Sequence, residues 1–108
     1  MKAMMIVETR DPIGVADVAW GAEFLAGLHA AGCPGTLMLV ENGVLATRRD
    51  AEAPAIRSLL GGGVEIVADR FALAERGIAE AELAPGIAAG DLGLVVDRLV
   101  AGDSVIWR

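Results

Sequence analysis

The stretch Gly35-Thr36-Leu37-Met38-Leu39-Val40 is almost continuously apolar, and it is closed by the turn-forming residues Glu41-Asn42-Gly43. A strand with one face in water alternates apolar and polar residues, whereas a strand covered on both faces does not. We therefore interpret Thr36–Val40 as a strand buried on both faces, which is typical of a parallel sheet with helices packed on each side.

Segments of the same kind recur along the chain and alternate with helical patterns. The other predicted strands are Ala3–Glu8, Val64–Ala68, Ile87-Ala88 and Ser104–Trp107. The predicted helices are Val15–Ala31, Ala53–Leu60, Phe71–Arg76 and one that Asp91 caps, with Leu92, Val95, Val96 and Leu99 at helical spacing. This alternation, with no linker or repeat, predicts one α/β domain over residues 1–108 with a five-stranded, mostly parallel sheet.

The composition limits the classes of partner. A chain of 108 residues with 55% hydrophobic residues is expected to bury apolar surface by oligomerisation as well as by folding. No apolar run approaches the roughly 20 residues of a spanning helix, so no membrane partner is predicted. A net charge of −6 argues against a nucleic-acid partner. The early acidic residue Glu8 argues against a secretory signal and favours a cytoplasmic protein.

The single cysteine, Cys33, is a weak candidate for catalysis. It lies before the predicted strand Thr36–Val40, at the amino end, and no helix N-terminus follows it to activate the thiol. With one cysteine and one histidine, His29, the sequence predicts neither a nucleophilic dyad nor a metal site based on these residues. No cofactor is predicted either, because Thr9–Gly14 matches neither glycine-rich phosphate-binding motif.

The carboxyl ends of the predicted strands gather polar side chains on one edge of the sheet, where ligands bind in open parallel sheets. The candidate ligand-binding residues on this edge are Asn42, Asp69, Arg70 and Asp91, with Glu41 beside them. The alternative is that they are ordinary polar loop residues, since Asp91 already has a role as a helix cap.

Three aromatic residues are candidates for a subunit interface. Trp20 and Phe24 are i, i+4 partners on the first predicted helix, and Trp107 lies in the last predicted strand. Partly exposed aromatic side chains are common interface anchors, although residues at the edge of a core have the same pattern.

From end to end, the order of elements resembles the DsrE/DsrF-like family of small sulfur-relay proteins. The likeness is carried by "MIVETRDPIG", "GTLMLVENGVLAT", "LLGGGVEIVADRFALAERGI" and "IAAGDLGLVVDRLVAGDSVIW", and it covers almost the whole chain. The resemblance implies a flavodoxin-like three-layer fold and assembly into trimers or hexamers, or into hetero-oligomers with related subunits.

The sequence departs from this family at the residue that carries its chemistry. Family members that transfer sulfur have a persulfide-forming cysteine just after the third strand, and the matching position here is Asp69. A carboxylate cannot hold a sulfane sulfur, so the thiol chemistry is not carried over to this chain.

Three functions remain open from the sequence. The leading hypothesis is a non-catalytic DsrE-like oligomeric protein, acting as a structural, docking or small-ligand-binding subunit with a link to sulfur metabolism. The second is a sulfurtransferase or sulfur carrier that uses Cys33. The third is another small enzyme with a site near Asp69, because polar groups at a cleft permit acid–base chemistry.

Overall fold

The structure, a computed structural model, describes residues 2–11 and 16–108. Its strands are β1 (Met4–Glu8), β2 (Gly35–Leu39), β3 (Glu65–Asp69), β4 (Ile87–Gly90) and β5 (Ser104–Trp107). Its α-helices are α1 (Ala16–Ala30), α2 (Pro54–Arg57), α3 (Arg70–Glu75) and α4 (Gly93–Val100), and Glu41–Thr47 and Glu80–Glu82 are 3-10 helices.

The five strands form one sheet in the order β4-β3-β2-β1-β5. All four pairings between them are parallel, so their carboxyl ends lie at a single edge. With helices flanking this sheet, the chain has the predicted α/β fold, and the arrangement is consistent with a flavodoxin-like three-layer domain. We refer below to the edge where the strands end as the carboxyl edge, and to the opposite one as the amino edge.

Alternating residues of each strand pack on opposite faces of the sheet and build two separate cores. On one face Ile6, Leu37 and Ile66 pack with Leu25 of α1 and Ile56 of α2. On the other face the buried residues come mainly from the sheet and are joined by Val95 of α4; they are Met5, Val7, Met38, Val40 and Val67. Burial on both faces explains why the strands are apolar throughout.

Several helix boundaries differ from the sequence predictions: α3, expected over Phe71–Arg76, is shifted by one residue, and two further differences have a local cause. The helix expected over Ala53–Leu60 ends at Arg57, and hydrogen-bonded turns follow it, because the glycine run begins at Gly61, whose φ of +79° is outside the helical region. The helix expected from Asp91 begins at Gly93, and the Asp91 carboxylate accepts a hydrogen bond from the Gly93 N–H at 2.8 Å.

The first predicted helix, Val15–Ala31, corresponds to α1, but its expected start at Val15 lies outside the described residues. The same holds for Pro12-Ile13-Gly14, the second half of the loop compared with phosphate-binding motifs. Within residues 2–11 and 16–108, none of the helices combines the length and apolar character required to cross a membrane.

Candidate functional site

A pocket of about 240 Å³ opens at the carboxyl edge of the sheet. Its walls come from the ends of β2, β3 and β5, from α3 and from the segment before α4. The lining residues are Val40, Glu41, Asp69, Phe71, Ala72, Glu75, Leu92 and Trp107. The pocket therefore occupies the position at which open parallel sheets bind ligands.

Asp69 is the buried polar group of this pocket. It is the last residue of β3 and the N-cap of α3, where its Oδ2 accepts a hydrogen bond from the Ala72 N–H at 3.1 Å. The residue is only 4% exposed. Its second oxygen, Oδ1, is buried and has no hydrogen-bond partner in the described part of the chain. A buried, unsatisfied carboxylate oxygen is costly, so this atom requires an explanation beyond helix capping.

The other polar side chains of the pocket are also acidic. Glu41 and Glu75 line it together with Asp69, and none of the lining residues is basic. The charge of Glu75 is partly offset by Arg76, whose Nη1 lies 3.8 Å from the Glu75 Oε1. A pocket of this composition favours ligands that donate hydrogen bonds or carry positive charge, and it disfavours anions.

Apolar side chains form the remaining wall. Phe71, Leu92 and Trp107 line the pocket and are 70%, 45% and 55% exposed, respectively. Large apolar side chains that stay this exposed in a compact domain mark contact surfaces for a ligand or a partner. The pocket thus combines one buried carboxylate with an aromatic and aliphatic opening.

The residue that joins β2 to the pocket has an unusual backbone. Glu41 has a φ of +48°, and it is the only described residue other than glycine with a positive φ. A non-glycine residue in this region is uncommon, and such positions cluster at functional sites. Behind it, Gly43 approaches the sheet so closely that a Cβ there would lie 2.6 Å from the Glu8 carbonyl oxygen.

The other predicted ligand-edge residues lie at the carboxyl edge but do not line the pocket. The Asn42 Oδ1 accepts hydrogen bonds from the Arg76 Nη2 at 3.0 Å and Nε at 3.3 Å. Arg70 pairs with Glu80 at 3.4 Å, and both side chains are more than half exposed. Asp91 caps the start of α4, as described above. Of the residues predicted at this edge, Asp69 and its neighbour in the prediction, Glu41, line the pocket.

A second buried carboxylate, Glu8, lies at the carboxyl end of β1, beside the position where β5 reverses the strand order. Its oxygens accept hydrogen bonds from the Arg10 N–H and from the Arg10 guanidinium at 3.2 to 3.4 Å. The Nε of Arg108 lies 3.8 Å away on the other side. Glu8 is 1% exposed and is paired on both sides by arginine.

Cys33 lies at the amino edge, in the turn between α1 and β2. Its Sγ donates to the carbonyl oxygen of Lys2 at 3.3 Å, with the Pro34 carbonyl at 3.7 Å. The ring of His29 packs against Gly63. Because the strands are parallel, Cys33 and the pocket are at opposite ends of the sheet.

The predicted interface aromatics have neighbours within the chain. The rings of Trp20 and Phe24 stack with centroids 5.1 Å apart, and the Arg108 guanidinium lies 5.0 Å from the Trp20 ring. Trp20 is nevertheless half exposed. Trp107 lines the pocket, a role that the sequence analysis did not assign to it.

Sequence reasoning also missed Phe71, Glu75 and Leu92. Phe71 and Leu92 each come two residues after the end of a strand, so a search for apolar residues directly beyond strand ends would have found them. In the described ranges, no group of three or more His, Cys, Asp or Glu side chains is placed to hold a metal ion.

Comparison with known proteins gives the fold. No protein-family model matches the chain, and a search of curated proteins finds no match. The solved structures similar to the chain include the three described below, of which two, MTH1491 and BT1422, are described as proteins of unknown function.

MTH1491, from Methanobacterium thermoautotrophicum, is 22% identical with a TM-score of 0.82, over 98% of this chain and 97% of that one. The ychN protein from E. coli is 19% identical with a TM-score of 0.87, over 100% of both chains. BT1422, from Bacteroides thetaiotaomicron, is 17% identical with a TM-score of 0.74, over 97% of this chain and 94% of that one. At these identities the likeness shows a shared fold.

Proposed function

We propose that this chain is a non-catalytic subunit of a homo-oligomer and that it binds a small ligand in the pocket at Asp69. The observation that carries the proposal is that Asp69, a residue of the pocket wall, has a buried oxygen, Oδ1, with no hydrogen-bond partner in the described structure. A ligand that donates a hydrogen bond to this oxygen would remove the cost of burying it. The resemblance to sulfur-relay proteins supports a link to sulfur metabolism in a docking or binding role.

The homo-oligomer is supported by the outer surface of α4. Val96, Leu99 and Val100 are 58%, 57% and 84% exposed, although α4 is the helix that covers the second core. Three neighbouring apolar side chains in water favour association. The occupant we propose for this surface is a second copy of the chain, in agreement with the trimers or hexamers that the resemblance implies.

Light scattering at micromolar concentration tests the assembly. We expect at least twice the mass of one chain, and we expect Val100→Glu to reduce it. Ala26→Glu is the matched control, because it adds the same charge at an exposed position of α1, which packs on the opposite face of the sheet. A monomeric wild-type protein would contradict the assembly proposal.

Fluorescence of Trp107 tests ligand binding. In a Trp20→Phe background, which retains an aromatic ring against Phe24, the remaining tryptophan lies in the pocket wall. Titration with small cationic, neutral and anionic compounds should perturb its emission for at least one class. If no class binds, the pocket is not a ligand site.

An enzyme that uses Asp69 as an acid or base is the alternative favoured by the same unpaired oxygen. The two functions differ in what happens to a bound compound: a binding subunit releases it unchanged, whereas an enzyme converts it. Recovery of an unchanged ligand after prolonged incubation supports the binding subunit.

A sulfurtransferase that uses Cys33 has less support from the geometry, since the thiol is at the amino edge and bonds to the Lys2 carbonyl. After treatment with a persulfide donor, mass spectrometry should find no transferable sulfur on Cys33. Sulfur transfer that Cys33→Ser abolishes would favour this alternative over the binding subunit.

A further inference from the structure

We propose that the ligand of this pocket is an organic ammonium, a small amine carried on an apolar or aromatic body. The inference rests on the proposed binding function and names the chemical class that the site selects. Three features carry it: the unpaired acceptor of the lining residue Asp69, the nature of the pocket walls and the size of the pocket.

One residue of the pocket wall, Asp69, has an acceptor oxygen without a donor. An ionised carboxylate only accepts hydrogen bonds, and Asp69 uses Oδ2 for the Ala72 N–H while Oδ1 has no partner within the described residues. An N⁺–H donor makes a charge-assisted hydrogen bond to such an oxygen, which is about twice as strong as a neutral one. An anionic ligand would place a second negative charge beside a carboxylate that is 4% exposed.

The walls select an organic cation over a metal ion. Phe71 and Trp107 present aromatic rings, and such rings attract ammonium groups through their negative faces. Val40, Ala72 and Leu92 supply apolar contact for a carbon skeleton. A hydrated Mg²⁺ or Ca²⁺ requires several oxygen ligands around it and gains nothing from apolar walls.

The remaining acidic residues strengthen the preference for positive charge. Glu41 and Glu75 line the same pocket. Of the arginines nearby along the chain, Arg70 pairs with Glu80, while Arg76 bonds to Asn42 and offsets only part of the charge of Glu75, at 3.8 Å. Carboxylates around an apolar cleft raise the local concentration of cations.

The volume limits the ligand to a small molecule. At about 240 Å³ the pocket is below the range of about 300 to 1,000 Å³ that holds drug-sized ligands. An amine with a single ring, or a short branched chain, matches both the volume and the walls.

The experiment compares three probes of similar size and different charge. The probes are 2-phenylethylamine, 2-phenylethanol and 3-phenylpropionate, titrated into the Trp20→Phe protein with Trp107 emission as the readout. Magnesium chloride is titrated separately at matched ionic strength. We expect the amine to bind most tightly and the propionate most weakly.

The decisive variant is Asp69→Asn. Asparagine retains an oxygen for the Ala72 N–H, so the cap of α3 is preserved while the negative charge is removed. Amine affinity should fall by about tenfold or more, the value of a hydrogen bond to a charged group. Asp91→Asn is the matched control, because it removes the same charge from the same edge, outside the pocket wall. Its amine affinity should equal that of the parent protein.

The outcomes separate this inference from the proposed function. If the alcohol or the propionate binds as tightly as the amine, or if Asp69→Asn leaves amine affinity unchanged, the ammonium class is wrong while ligand binding stands. If Mg²⁺ alone perturbs the emission and Asp69→Asn abolishes that effect, the site is a cation site of another kind and the inference is wrong. If no probe binds, the inference is wrong, and the wider set of compounds described above decides the proposed function.

Discussion

Glu8 and Asp69 are two buried carboxylates at the same edge of one sheet, and they differ in how their oxygens are satisfied. Glu8 is 1% exposed and receives hydrogen bonds from Arg10, with Arg108 at 3.8 Å. Asp69 is 4% exposed and receives one backbone hydrogen bond at Oδ2 and none at Oδ1 within the described residues.

The difference distinguishes a carboxylate that is fully paired within the fold, Glu8, from one that keeps an unpaired oxygen, Asp69. Glu8 is satisfied by the chain itself, so its carboxylate holds the ends of β1 and β5 together through Arg108. Asp69 lines the pocket and retains one acceptor oxygen without a donor, which under our proposal a ligand would supply. Equal burial therefore does not imply equal function, because the number of donors within reach decides it.

The largest effect is expected from Glu8→Gln. Glu8 is the buried member of its pairs with Arg10 and Arg108, and breaking a buried ion pair is destabilising, so we expect the free energy of unfolding to fall by about 3 kcal/mol. This is the lower end of the usual range, since the side chains of Arg10 and Arg108 are 38% and 18% exposed. Urea denaturation measures the change. A loss below about 1 kcal/mol would contradict this prediction, because it would mean that Glu8 contributes no more than a surface ion pair.

An intermediate effect is expected from Gly43→Ala. Gly43 lies between Glu8, whose carbonyl oxygen it contacts, and Glu41 of the pocket wall. The new Cβ would lie 2.6 Å from the Glu8 carbonyl oxygen, so the 3-10 helix that carries Glu41 must shift. We expect a loss of about 2 kcal/mol in the free energy of unfolding, within the range for overpacking.

Gly27→Ala is the control for this substitution. Nothing lies within 4 Å of a Cβ at Gly27, which is inside α1. Alanine there should raise the free energy of unfolding by about 0.5 to 1 kcal/mol, because glycine disfavours helix. An equal change in the free energy of unfolding at both positions would show that the close contact between Gly43 and β1 does not determine the effect of alanine.

The smallest effect is expected at Asp69, and there the choice of substitution matters. Asp69→Ala removes the cap of α3 and should be about 1 kcal/mol less stable than Asp69→Asn, which preserves it. Asp69→Asn should match or exceed the wild type, because a buried unpaired amide costs less than a buried unpaired charge. Thermal and urea unfolding of both variants measure this. A loss in Asp69→Asn as large as that of Glu8→Gln would make Asp69 a structural carboxylate.

The strands could be predicted closely because burial on both faces leaves a direct trace in the sequence. Thr36–Val40 and Val64–Ala68 were predicted, and the strands are Gly35–Leu39 and Glu65–Asp69, each shifted by one residue. Helices that depend on a glycine-rich end were less predictable. The length of α2 depends on where the backbone turns before Gly61, which the apolar spacing of its residues does not record.

The sequence predicted the edge of the sheet at which the candidate site lies, but not which residues form the pocket. Asp69 was identified because it follows a buried strand and because the family resemblance places the persulfide cysteine there. Asn42 and Arg70 have the same sequence signal, but they lie outside the pocket wall. Their partners, Arg76 and Glu80, are 34 and 10 residues away along the chain, and a single sequence does not show such pairings.

The position of β5 beside β1 has a consequence for the synthesis of this protein. The N–H of Ala3 bonds to the Asp103 carboxylate, 100 residues along the chain, and Met4 pairs with Ser104. Until that segment has left the ribosome, the apolar strand β1 presents an unpaired edge to its surroundings. Such an edge is a template for pairing with other chains. The nascent protein is thus most exposed to aggregation just before β5 emerges.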